Sequence, residues 1–162
     1  MAYRISDAKI GFQRIADTST TQNHPLGTVV RATDTTYGEG EFIYLLGVAN
    51  TAIGSPVVYN DLTFQTTLAP VGTNKPEPVA FSMSANVASQ YGWYQISGNA
   101  RAAKTSGLAL ASNVAVGVLT AGKIAATGSG KEIQGAMTAA KSTASTLVTL
   151  VVNRPHMQGR VT

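Results

Sequence analysis

The chain has 162 residues, no cysteine and only 12% charged side chains. That length suits one domain that buries roughly 70% of its unfolded surface, and the missing cysteines exclude disulfides and thiolate metal sites. Charge is uneven: residues 1–80 carry five basic and seven acidic groups, whereas residues 81–162 carry seven basic and one acidic, so the second half suits an anionic partner, either nucleic acid or an acidic protein surface.

The first segment, residues 1–25, differs from the rest. Its apolar residues Ile5, Ile10, Phe12 and Ile15 are isolated among polar ones and are followed by DTSTTQNH, too little apolar area for a core of its own. It reads as an N-terminal arm that packs on something else, with Tyr3, Arg4, Ile5, Ile10, Phe12, Arg14 and Ile15 as its contact residues; a short helix or edge strand of the same domain is the alternative. Arg4, Asp7 and Lys9 interrupt the apolar stretch that a signal peptide needs, and no apolar run reaches the roughly 18 residues of a membrane span, so the expected setting is cytoplasmic with no membrane partner.

Residues 26–162 read as a single β domain. GTVVRAT, EFIYLLGV, PVVYN, TFQTTL, PVAFSMS, YGWYQIS and VAVGVLT follow one another as short β-branched or aromatic runs with period-two alternation. The segments YNDL, GTNKPEP, SGNA, TAGK and TGSGK punctuate them with residues suited to turns. STLVTLVVN, residues 145–153, predicts a closing strand that ends before Pro155. Two Ala-rich segments, GLALASNVA and GAMTAAKSTAST, are compatible with a helical turn or a long loop. The predicted fold is all-β, a small barrel or sandwich, jelly-roll-like or related, with an extended N-terminal arm.

Chemistry-bearing motifs are weak. His24 and His156 each neighbour a proline without a second ligand at metal spacing, and read as solvated loop residues. Glu39 and Glu41 alternate at a strand entrance and point to one solvated face; a glycosidase site would need a cleft and supporting aromatics around such a pair, and the solvated face is the reading taken. AATGSGKE lacks the first Gly and the Ser or Thr after Lys131 that a phosphate loop needs, and reads as a hairpin turn; GEGEFI has Ile43 where a dinucleotide fingerprint has its third Gly. The expectation is therefore no enzyme, no cofactor and no metal.

The segment SQYGWYQISGNA holds the only tryptophan. In a strand, Tyr91, Trp93 and Gln95 face one way while Tyr94 and Ile96 face the other, which suits a strand covered on both sides, with Trp93, Tyr91 and Tyr94 as core aromatics. The competing reading is an exposed platform for a sugar or base, built from Tyr91 and Trp93.

The blocks at residues 21–61 and 79–100 carry, in order, His-Pro-Leu-Gly, Gly-Glu-Phe-Ile-Tyr-Leu, Gly-Ser, a Val-Tyr strand and Gln-Tyr-Gly-Trp-Tyr-Gln-Ile. As an ordered set they resemble the capsid decoration, or cement, proteins of tailed bacteriophages. The likeness covers about two fifths of the chain and is loose after Ala100, where this chain carries Lys104, Lys123, Lys131 and Lys141. The resemblance implies a structural virion protein, made in the host cytoplasm, that attaches as a homo-oligomer, dimer or trimer, to the outer capsid surface. Its partner would be the major capsid protein, with no direct nucleic-acid binding. A carbohydrate-binding or host-surface-binding β module displayed on the virion is the alternative.

Overall fold

A computed structural model describes residues 4–6, 13–72 and 75–159, among which there are twelve strands and no helix. In chain order they are β1 (Arg4–Ile5), β2 (Thr18–Ser19), β3 (Val29–Asp34), β4 (Gly38–Leu46), β5 (Pro56–Tyr59), β6 (Thr66–Leu68), β7 (Val79–Ser82), β8 (Tyr91–Ala103), β9 (Ala115–Thr120), β10 (Lys123–Ala126), β11 (Glu132–Thr138) and β12 (Leu147–Met157). The main sheet runs β1-β3-β4-β8-β12-β11-β9-β10, every neighbouring pair antiparallel. It curls into a half-barrel: Ile124 of β10 forms a parallel bridge with Lys104, just beyond β8, and the Thr105 N–H donates to the Ile124 carbonyl at 3.0 Å. The predicted all-β class is observed, and the half-barrel is consistent with a small barrel or sandwich. β5, β6 and β7 form a small layer joined to β8 through Phe81 opposite Gln95 and Ser82 opposite Tyr94.

Thirteen residues long, β8 is the spine. One edge of its first half pairs with β4, the other with β2 and β7, and its second half pairs with β12. Because side chains alternate, the covered first half feeds two separate cores. Trp93 packs with Phe42, Tyr44, Val30, Ala32 and Met83 on one side; Tyr94 and Ile96 pack with Ile43, Leu45, Val57 and Ala80 on the other. A third core fills the half-barrel, where Ala100, Ala102, Val118, Ile124, Ile133 and Leu150 meet Val58, Val79 and Phe81 of the small layer. Each large aliphatic side chain so buried contributes about 1.5–3 kcal/mol.

Several local expectations are corrected. Ser97–Ala100 is no turn but the middle of β8: the register with β4 shifts just before it, at Ile96, and Gly98, at φ 95°, lies so close to the Glu39 carbonyl that a Cβ would collide with it. β12 passes through Pro155, because Gln134 opposes His156 while Ala136 opposes Val152; the extra residues bulge out, so the missing proline N–H removes no ladder bond. The segment Thr127–Lys131 is not a hairpin turn, since β10 and β11 flank β9 on opposite sides. It crosses the face of β9 at Gly117, and Lys131 accepts the Val118 N–H at 3.1 Å. Neither Ala-rich segment is helical: β9 begins at Ala115, β11 takes up Gly135–Thr138, and the loops between are tied by Leu110 bridging Ser142.

Candidate functional site

The proposed contact arm divides on inspection. Arg4 and Ile5 form β1 against the edge of β3, opposite Thr33 and Ala32, and the Ser6 N–H extends the ladder to the Arg31 carbonyl at 2.9 Å. Tyr3, Ile10 and Phe12 lie outside the described residues. Arg14 is exposed. Ile15 is only 2% exposed and packs in the Trp93 core, so it is corrected from a contact residue to a core residue. The physical reason is proximity: Thr18 and Ser19 pair with Gly92 and Tyr91, which delivers the preceding apolar side chain onto Trp93. Residues 13–25 are thus packed on the β domain itself.

Gln13 is the centre of that junction. Its carbonyl accepts the Trp93 indole N–H at 2.9 Å, and its own N–H donates to His24 Nε2 at 3.1 Å. Its side-chain oxygen accepts from Tyr44 OH at 3.0 Å and Asn23 Nδ2 at 2.9 Å, while its Nε2 donates to the carbonyls of Asp17 and Tyr91. Around it, the Tyr44 and Trp93 ring centroids are 5.0 Å apart, His24 lies 5.6 Å from Trp93 and edge-on to Tyr44 at 5.1 Å, and Tyr91 stacks on Tyr44 at 6.3 Å. Trp93 and Tyr94 are completely buried and Tyr91 is half-buried, so this segment offers no open stacking platform. On the opposite face Tyr94 receives a hydrogen bond from Asn86 Nδ2 at 3.0 Å, and burial pushes its phenol up to about 12.

His24 is therefore part of the junction rather than a solvated loop residue. Accepting the Gln13 N–H at Nε2 requires the neutral ring, and burial holds its pKa below 6.5. The unfolded chain then binds this proton at higher pH than the folded one, so the stability His24 contributes is full above pH 6.5 and is lost as pH falls towards the lower folded value. Acidification is expected to lower the exchange protection of the Gln13 amide, measured against its intrinsic rate at the same pH, and to broaden the Trp93 indole resonance in NMR spectra, and His24→Gln should remove that pH dependence. Identical acid profiles for both proteins would show that His24 does not hold the segment.

Glu39 and Glu41 share Arg31, at 3.9 and 3.6 Å, and Glu41 also meets Arg154 at 2.9 Å. These exposed bridges each contribute at most about 1 kcal/mol. His156 lies within β12, not in a loop, and its Nε2 hydrogen-bonds Gln134 Oε1 at 2.9 Å. Among the described residues, no cluster of three or more His, Cys, Asp or Glu has metal-site geometry, and no helix is long and apolar enough to cross a membrane.

Sequence reasoning missed Lys104. It is 2% exposed, and its ammonium donates to the carbonyls of Leu108, Ser142 at 3.5 Å and Thr143 at 3.4 Å, tying together the two Ala-rich loops. The signal was available in the β8 alternation, because Ala100 and Ala102 point inward and Lys104 continues their row. No protein-family model matches the chain, and no curated protein matches it.

Proposed function

We propose that this chain is a structural virion protein that binds the outer surface of a tailed-phage capsid and stabilises the mature shell against the pressure of packaged DNA. The observation that carries the reading is the meeting of its separated motifs. His24 of the His-Pro-Leu-Gly piece, Tyr44 of Gly-Glu-Phe-Ile-Tyr-Leu and Trp93 of Gln-Tyr-Gly-Trp-Tyr-Gln-Ile have ring centroids 5.0–5.6 Å apart, so three of the five pieces that carry the resemblance to cement proteins meet in one core, while Val58 and Tyr59 of the Val-Tyr strand pack in the other two. A rigid all-β body with no demand for catalytic groups fits that role.

The mechanism is linkage. A ligand that binds the closed shell, and binds loosened subunits poorly, stabilises the shell by mass action, and contacts to several subunits at once raise the effective concentration of each. Exposed Arg4 and Arg14, with Tyr3, Ile10 and Phe12 of the arm, are the proposed contacts to the major capsid protein. The carbohydrate-module reading loses its platform, because Trp93 and Tyr94 are buried.

The test is co-sedimentation of the purified chain with bare capsids of its own virus. Saturable binding to shells, with none to naked DNA or to glycan arrays, is the expected result; saturable glycan binding without shell binding would move the protein to the displayed-adhesin class.

A further inference from the structure

A recess of about 370 Å³ opens where the loop after β11 runs back beside the start of β12. Arg101 of β8 stands directly opposite Thr149 of β12, and both line the recess together with Lys141, Ser142, Thr143 and Ser145. Among the described residues no carboxylate lines it. Residues 101–149 carry five basic side chains against one acidic, Glu132. The Lys104 ammonium lies against the same loop, bonded to the Ser142 and Thr143 carbonyls at 3.5 and 3.4 Å, and neutral carbonyls leave its charge uncancelled. The recess is therefore electropositive.

Its donors are held in place, and two of them are unused. Arg101 is braced by a neutral group: one Nη donates to Tyr37 OH at 2.8 Å, and the guanidinium carbon lies 5.9 Å from the centre of the Tyr37 ring. The Arg101 Nε and the Ser142 Oγ are buried, and neither has a hydrogen-bond partner among the described residues. Buried polar atoms are nearly always hydrogen-bonded, so two unpartnered ones in residues lining a single recess point to a ligand. The loop is also prebuilt. Ser142 and Leu110 exchange both backbone hydrogen bonds at 2.9 Å, the Ala139 N–H donates to the Thr149 carbonyl at 2.9 Å, and the Lys104 N–H donates to the Thr146 carbonyl at 2.8 Å. Binding here carries little ordering cost.

We propose that this recess binds a phosphate monoester, with the phosphoryl group between Arg101 and Lys141 and the alcohol part against Ala144 and Leu147. The remaining guanidinium N–H groups, the Lys141 ammonium and the Ser and Thr hydroxyls outnumber what a carboxylate accepts, and they suit an anion with three acceptor oxygens. No aromatic side chain lines the recess, which disfavours a stacked base and with it a nucleic-acid strand. The site belongs to the free protein and does not depend on shell attachment.

NMR titration of the purified full chain with glycerol phosphate, inorganic phosphate and an oligothymidine without terminal phosphates tests it. Glycerol phosphate should saturate, shifting the Arg101 side-chain resonance and the amides of residues 140–149. Inorganic phosphate should act on the same resonances more weakly, because it leaves the apolar wall uncovered, and oligothymidine should not act there. Lys141→Glu should weaken glycerol phosphate binding about tenfold or more, with an unchanged thermal melt because the side chain is exposed. Lys131→Glu makes the same charge change at the other end of β12, next to Gly130, which bonds Gln158, and should weaken binding about twofold at most because salt screens it there. Absence of saturable glycerol phosphate binding, equal losses in the two variants, or tighter binding of oligothymidine or inorganic phosphate would each overturn the proposal.

Discussion

Replacing Trp93 with Ala is expected to destabilise the domain by about 3–5 kcal/mol, through lost burial and the cavity left behind. Trp93 is fully buried among Phe42, Tyr44, Ile15 and Met83, and its indole N–H holds the Gln13 carbonyl at 2.9 Å. Removing it therefore uncouples residues 13–25 from β8 as well as emptying the core. A small domain has about 5–15 kcal/mol in all, so the variant should unfold at markedly lower denaturant. Trp93→Phe keeps most of the ring but loses the N–H, and should fall between the two. Urea unfolding checks both. A Trp93→Ala protein with unchanged midpoint and lost ligand binding would restore the platform reading.

Lys104→Ala is expected to cost about 3 kcal/mol, because the Leu108 and Thr143 carbonyls would lose this donor and the Ser142 carbonyl would keep only the Leu110 N–H, at a residue that is 2% exposed. The comparison with Lys104→Met separates packing from hydrogen bonding, since Met supplies a similar stem with no ammonium. Urea unfolding of both, with amide exchange across residues 105–114 and 139–146, is the measurement. Loosening of both loops in both variants supports an ammonium tie; a Met variant as stable as the wild type would show that Lys104 acts through its methylenes alone.

The all-β class was legible because alternation is a local property. In β3, Val30, Ala32 and Asp34 turn inward while Val29, Arg31 and Thr33 face outward, as period two demands. The opposed faces of Trp93 and Tyr94 followed from the same rule and lead to two separate cores. What alternation does not encode is a register shift. Gly98 and the bulge around Arg154–Pro155 look in sequence like strand ends, yet β8 runs on beyond Gly98 against β12, and the β11–β12 ladder resumes beyond the bulge.

Partners distant in the chain were equally hidden. Ile15 reads as an isolated apolar residue because the aromatic it covers is nearly eighty positions away, and Gln13 carries no sequence mark of its tie to the Trp93 indole. His24 reads as a loop residue beside a proline, for the same reason.

Shell stabilisation is tested most directly by heating DNA-filled particles, bare or decorated with the purified chain, in the presence of an intercalating dye. Decorated particles should release DNA at a higher temperature, with a shift that rises with protein concentration and levels off at full occupancy, because occupancy sets the stabilisation. Identical release curves for bare and saturated particles would contradict the account.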